Sequence, residues 1–160
     1  MAISAGDRLP DATLLRIGAD GPEQLALADL TRGRKVVIFA VPGAFTRTCS
    51  AAHLPSFIRT ADSFKEKGVD EIACISVNDP FVLDAWAKGA GADAISMLAD
   101  ADGSFTRSVG MSFDAPPVGL IGRSKRYAML VEDGVVTQLN AEDSTGACDI
   151  SAGETLLEML

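Results

Sequence analysis

Three thiols and one imidazole are the side chains in this 160-residue sequence best suited to nucleophilic or redox work: Cys49, Cys74, Cys148 and His53. A thiolate is the attacking and metal-binding form of cysteine, so the question for each thiol is what surrounds it. Cys49 has Thr46 three residues before it and Pro42 seven before it. His53 follows Cys49 by four residues, a spacing that puts both on one helix face. A Cys/His pair invites a protease-like reading. No orienting Asn or Asp and no oxyanion motif accompanies the pair, so a structural or dimer-contact histidine is the plainer reading. No two cysteines stand at C-x-x-C spacing, which disfavours a redox dithiol, and an odd, sparse count argues against a disulfide scaffold. A single histidine disfavours a zinc site of usual composition.

The elements around Cys49 favour its reactivity. Lys35-Val36-Val37-Ile38-Phe39-Ala40-Val41 is a strand by composition, and Leu54, Phe57, Ile58, Ala61 and Phe64 recur at helical spacing. The stretch Pro42-Gly43-Ala44-Phe45-Thr46-Arg47-Thr48-Cys49 between them reads as a tight loop. Cys49 then falls near the first turn of a helix, where free N–H groups and the helix dipole favour a thiolate. That helix should run to about Lys67 and close at Gly68, with Pro55 removing one N–H and bending it. Thr46 has the offset of a capping residue, its hydroxyl folded toward the first turn. Pro42 ends the strand.

Other segments follow the same alternation. A hairpin is predicted from Ala12–Arg16 and Gln24–Leu27 around a Gly18–Pro22 turn, and Leu27–Leu30 makes one helical turn. Glu71–Val77 is a buried strand holding Cys74, a thiol expected to be inert. Asp79 and Pro80 start a helix as N-cap and first residue. Ile95–Ala99 is a strand, and a short helix begins near Asp102 and ends near Gly110. Met111–Gly122 is irregular. Arg126–Val131 and Val135–Leu139 flank Asp133-Gly134, a strong hairpin signal. Ala141–Asp149 is a polar loop carrying Cys148, and Ser151–Leu160 closes as a helix. The whole is α/β: a central mixed sheet, parallel in the middle and antiparallel at the hairpin, flanked by helices. Length and the lack of a linker predict one domain over residues 1–160.

Composition limits the partners. The formal net charge is −8 and 48% of residues are hydrophobic. An acidic chain with no basic block disfavours nucleic acid and anionic membranes. No apolar run approaches the roughly 20 residues needed to span a bilayer. The stretch Met1–Asp7 has no signal-peptide pattern, so a cytoplasmic protein is expected.

Pro42-x-x-x-Thr46-x-x-Cys49 resembles the active-site signature of the peroxiredoxins. Pro42-Gly43-Ala44-Phe45-Thr46 with Thr48-Cys49-Ser50 resembles the type-five branch, the atypical two-Cys or plant type-II-like group. Cys74-Ile75-Ser76-Val77-Asn78-Asp79 with Phe81-Val82, and Arg126-Tyr127 with Asp133-Gly134-Val135-Val136, extend the likeness over nearly the whole chain. Arg47 departs from it, standing where that branch usually has a second proline and placing a positive charge two residues from Cys49.

The resemblance implies a thioredoxin-like fold and a thiol peroxidase without metal, haem or flavin. Cys49 would be the peroxidatic thiol, oxidised by hydrogen peroxide or alkyl hydroperoxides to a sulfenic acid. The Thr46 hydroxyl would bond the thiolate or the peroxide oxygen, and Pro42 would shield the thiol from water. Arginine at a strand start is usually a solvated charge. The resemblance instead sets Arg126 beside Cys49, favouring the thiolate and donating to the peroxide. Arg123 and Lys125 are alternatives that lack the adjacent aromatic. Cys148 lies near the place of a resolving cysteine in some type-five members; read from the residues alone, it is an exposed loop thiol. Without it, glutathione, glutaredoxin or thioredoxin would resolve the intermediate. A homodimer is implied as well. Two other readings compete: a peroxide sensor or redox-dependent binding protein without efficient turnover, and a thiol-disulfide reductase, which lacks its C-x-x-C.

Overall fold

In chain order, β1 (Thr13–Gly18) and β2 (Gly21–Ala26) form the first hairpin, and α1 (Leu27–Thr31) follows. β3 (Lys35–Val41) leads through the Pro42 loop to a π-helical turn, Cys49–His53, and then to α2 (Leu54–Glu66). Next come β4 (Glu71–Ser76), α3 (Pro80–Ala90), β5 (Ser96–Ala99) and α4 (Ser104–Ser108). β6 (Ser112–Ala115), a 3-10 turn (Pro116–Val118) and β7 (Leu120–Ser124) precede β8 (Tyr127–Glu132), β9 (Val135–Ala141) and α5 (Gly153–Glu158). This computed structural model describes residues 2–144 and 146–160. Met1, and Thr145 of the polar loop, lie outside the described residues.

Seven strands form one sheet in the order β2-β1-β5-β4-β3-β8-β9. β3 pairs in parallel with β4, and β4 with β5, as the strand-helix alternation requires. β8 runs antiparallel to β3, and β9 to β8. The Asp133-Gly134 turn has positive φ at both residues, 49° and 80°, which suits the right-handed twist of the hairpin.

β3 is buried on both faces, and its side chains alternate between two cores. Val37, Phe39 and Val41 join Leu54, Phe57 and Phe64 of α2, Leu83 and Trp86 of α3, and Leu156 of α5. Val36, Ile38 and Ala40 join Leu27 and Leu30 of α1, Phe105 of α4, and Tyr127 and Met129 of β8. The helices thus sort to opposite faces of the sheet.

Asp79 caps α3 as expected, accepting from the Val82 N–H at 2.8 Å. Two segments differ from expectation. Met111–Gly122 is not irregular throughout: β6 and β7 pair as a small two-stranded sheet. β6 alternates over only four residues, β7 shows no clear alternation, and Pro116-Pro117 at the turn obscured the hairpin. The last helix begins at Gly153 and ends at Glu158, shorter than Ser151–Leu160, because Ser151 is drawn into a contact with Glu142.

Candidate active site

The Pro42 loop leaves β3 buried and turns sharply. Phe45 sits at φ 64°, in the left-handed region, and the Thr46 N–H returns to the Gly43 carbonyl at 3.3 Å. The turn is pinned from β4's side, where the Asn78 side-chain oxygen accepts from the Ala44 N–H at 3.0 Å and from the Ser76 hydroxyl. Helical bonding starts at once: the Ser50 N–H reaches the Thr46 carbonyl at 3.0 Å. Cys49 is therefore in the first turn, as its spacing predicts.

That turn is not regular α-helix. Residues 49–53 form a π turn, and the Leu54 N–H bonds back to the Cys49 carbonyl five residues earlier. Pro55 follows immediately and has no N–H to give. The register changes just before this proline; instead of a simple bend in α2, the chain widens one turn.

Cys49 is completely buried. Arg126 Nη2 donates to Cys49 Sγ at 3.2 Å, and Arg126 Nη1 lies 3.0 Å from His53 Nδ1. His53 Nε2 lies 3.0 Å from the Ser151 carbonyl. A carbonyl only accepts, so Nε2 carries the hydrogen; Nδ1 is then the lone pair that receives the guanidinium. The imidazole is held neutral. Burial, and then the Arg126 charge, pull its pKa down from 6.5 to about 3, against the bond to Ser151.

Arg126 reaches Cys49 because of strand pairing. Ala40, near the end of β3, pairs with Tyr127 at the start of β8. The residue before β8 is therefore beside the loop that follows β3. Arg126 is 1% exposed and lies beside Cys49, where the resemblance set it, and is not the solvated charge that an arginine at a strand start usually is. The Glu142 N–H bonds the Arg126 carbonyl at 3.0 Å, and the Glu142 carboxylate interacts electrostatically with the guanidinium.

The other candidates separate by place. The Thr46 hydroxyl donates to the Gly43 carbonyl at 2.7 Å, closing the loop, so it turns back into the loop and not toward the first helical turn. Pro42 is buried, and its carbonyl accepts from Arg123 Nη1 at 3.2 Å. Arg123, a sequence alternative to Arg126, thus braces the loop. Gly43 makes room for it: a Cβ there would collide with Arg123 Nη1. Arg47 is exposed. A cavity of about 550 Å³ opens beside the Pro42 loop, lined by Pro42, Thr46, Arg47, Val118, Leu120 and Arg126, the last of which bonds the buried thiol. His53 is wholly buried in its own chain, so of the two readings, structural or dimer contact, the structural one fits and the dimer contact does not.

Cys74 is buried on β4, and burial pushes its thiol up, with the Cys49 charge adding to the push. Cys148 is half-buried and unbonded to another cysteine. Burial raises its pKa too, against a bond from Ser151 and the Arg126 charge. The Thr48 hydroxyl donates to the Gly146 carbonyl at 2.9 Å, tying the Cys148 loop to the turn that carries Cys49. Glu142 and Ser151 escaped the sequence reading; polar residues in a loop give no sign of which backbone they will grip.

The redoxin family profile matches residues 4–157. Peroxiredoxin-2E of the Arabidopsis thaliana chloroplast is 47% identical over 164 residues, covering 99% of this chain and 70% of its own. The chain belongs to the peroxiredoxins. The crystal structure of reduced Prx3 in complex with hydrogen peroxide from Vibrio vulnificus superposes with a TM-score of 0.92 at 48% identity, over 98% of both chains. Peroxiredoxin 5 from Alvinella pompejana superposes with a TM-score of 0.85 at 36% identity, over 98% of this chain and 96% of its own. The fold is thioredoxin-like and the protein is of the type-five, plant type-II-like kind. It is a thiol peroxidase, the first of the three readings the residues allowed. Among the described residues no helix is long and apolar enough to cross a membrane.

Proposed function

We propose that Cys49 is the peroxidatic thiol of this peroxiredoxin, with Arg126, Thr46 and Pro42 as the groups that serve it. The observation that carries the assignment is the 3.2 Å bond from Arg126 Nη2 to the buried Cys49 Sγ, made by an arginine that also lines the neighbouring cavity. The thiolate sulfur attacks one peroxide oxygen and the O–O bond breaks. The departing oxygen takes a proton and leaves as water or alcohol, and Cys49 is oxidised by two electrons to the sulfenic acid. Negative charge grows on the departing oxygen, where a fixed guanidinium donor counts most. Pro42 covers the thiol. The Thr46 hydroxyl gives its hydrogen to Gly43 and turns its lone pairs to a peroxide O–H. The cavity has room for an alkyl hydroperoxide as well as for hydrogen peroxide.

The chain acts as one domain, residues 1–160, in the cytoplasm, and as a homodimer. Phe45 and Val118, 62% and 71% exposed, flank the site and supply apolar surface for a second copy. In the resolving step the Cys148 sulfur attacks the sulfenic sulfur, water leaves and a disulfide forms; an external dithiol, thioredoxin or glutaredoxin, then reduces it. The tie between Gly146 and Thr48 supports this role by keeping the Cys148 loop next to the Cys49 turn. Burial of the Cys148 thiol works against it, and then glutathione or glutaredoxin takes the sulfenic acid directly.

Intact mass under non-reducing conditions, after one equivalent of peroxide, tests the scheme. Loss of two hydrogens in the wild type with gain of one oxygen in Cys148→Ser makes Cys148 the resolving thiol. Gain of one oxygen in both makes the enzyme one-Cys. Turnover retained in Cys49→Ser defeats the assignment of Cys49.

A further inference from the structure

One chain of contacts runs outward from the buried thiol to a partly exposed residue that touches no reacting atom. Arg126 is aimed at Cys49 by one nitrogen and at His53 by another. His53 takes its tautomer from the Ser151 carbonyl. Ser151 lies in the loop after β9, outside any helix or strand, and needs an anchor of its own. Glu142 supplies it. A single carboxylate oxygen, Oε2, accepts from the Ser151 N–H at 2.7 Å, the Ser151 hydroxyl at 2.6 Å and the Asp149 N–H at 2.7 Å. Glu142 is itself tied to the arginine, since its N–H bonds the Arg126 carbonyl.

We infer that Glu142 is a positioning residue for peroxide reduction: its carboxylate fixes the Asp149–Ser151 backbone, so that the Ser151 carbonyl orients His53 and His53 holds the Arg126 fork on Cys49. The inference rests on the reading of Cys49 as the peroxidatic thiol. Three charge-assisted bonds on one oxygen are the strong kind. Burial works to raise the Glu142 pKa, but the bonds from Ser151 and Asp149 outweigh it and keep the group ionised. Without the carboxylate the segment keeps its tether at Gly146 and its contact through α5, yet loses what sets the height of the Ser151 carbonyl. The imidazole, still packed by Phe39 and Phe57, then loses the acceptor that fixes its tautomer, and the lone pair that receives Arg126 is no longer assured. A guanidinium that wanders from the sulfur neither favours the thiolate nor waits for the peroxide.

The test is a double-mutant cycle on the rate constant for hydrogen peroxide, read by stopped-flow in Glu142→Ala, Arg126→Lys and the double variant. That constant reports the oxidation of Cys49 alone, whatever resolves it afterwards. Glu142→Ala is expected to lower it about tenfold, the scale on which outer partners of a ligating side chain act. In the Arg126→Lys background the same change is expected to cost less than about twofold, because the residue it served is gone. The ultraviolet absorbance of the thiolate at neutral pH falls in Glu142→Ala, with circular dichroism unchanged. Should that variant misfold, Glu142→Gln keeps an acceptor oxygen and shows a smaller loss, again absent in the Arg126→Lys background. Equal losses in both backgrounds, or none in either, overturn the inference. If Cys49→Ser retains turnover, it is the reading of the site that falls instead.

Discussion

Cys49 and Arg126 stand 77 positions apart in the chain and meet at 3.2 Å in the interior. Antiparallel pairing of Ala40 with Tyr127 sets Arg126 beside the loop that follows β3, and that loop carries the chain on to Cys49. Both side chains are buried, so the contact is electrostatically strong, and its geometry is set by the sheet.

Replacing Arg126 by Lys keeps a positive charge but removes the fork that serves Cys49 and His53 together. The rate constant with hydrogen peroxide is expected to fall about 10²-fold, the low end of what loss of one preorganised donor costs. Stopped-flow oxidation with circular dichroism as a folding control reads it.

His53 makes stability depend on pH. Its folded pKa, about 3, is below the ordinary 6.5, so between those values the unfolded chain binds the proton and the folded one does not. Stability from this group is therefore complete above pH 6.5 and declines as pH falls toward 3, by an amount on the order of a few kcal/mol. Arg126, which faces the ring, opposes the proton throughout. Urea midpoints across this window should fall steeply in the wild type and less steeply in His53→Asn, which has no proton to take up there.

Gly153 begins α5 where it crosses α2. A Cβ added there would stand 2.6 Å from the Ser56 carbonyl oxygen, which is backbone and cannot swing away. The Gly153 N–H also bonds the Ser56 hydroxyl at 2.9 Å. Gly153→Ala is expected to cost about 1–3 kcal/mol by overpacking. Urea denaturation measures it, and Ala at exposed Gly89, with open space around it, is the control.

Thr46 separates loop closure from chemistry. Thr46→Val keeps the shape and removes the hydroxyl that closes on Gly43. A stability loss of about 1 kcal/mol is expected. Peroxide turnover should fall by at least about tenfold, as for a lost transition-state contact. Thr46→Ser should restore most of both, in denaturation and peroxidase assays.

Local order was legible wherever a residue acts through its neighbours in the chain. The β3 run, the Asp79-Pro80 helix start, the Asp133-Gly134 hairpin and the placement of Cys49 after a strand-ending loop follow from periodicity, capping and turn chemistry, which operate over a few residues. The signature from Pro42 to Cys49 pointed to thiol chemistry for the same reason. By themselves, these residues determined an α/β fold with one well-placed thiol.

Tertiary structure decided the rest. That Arg126 is buried, that His53 is its partner and not a surface contact, and that Glu142 grips Ser151 depend on side chains drawn together across the sheet and from the loop after β9. Such contacts have no period and no spacing in the sequence. An arginine or a glutamate reads as a solvated charge until packing supplies the partners that offset its desolvation. The π turn is of the same kind: Pro55 announced a disturbance, but only the folded chain shows a widened turn whose Cys49 and His53 share one guanidinium.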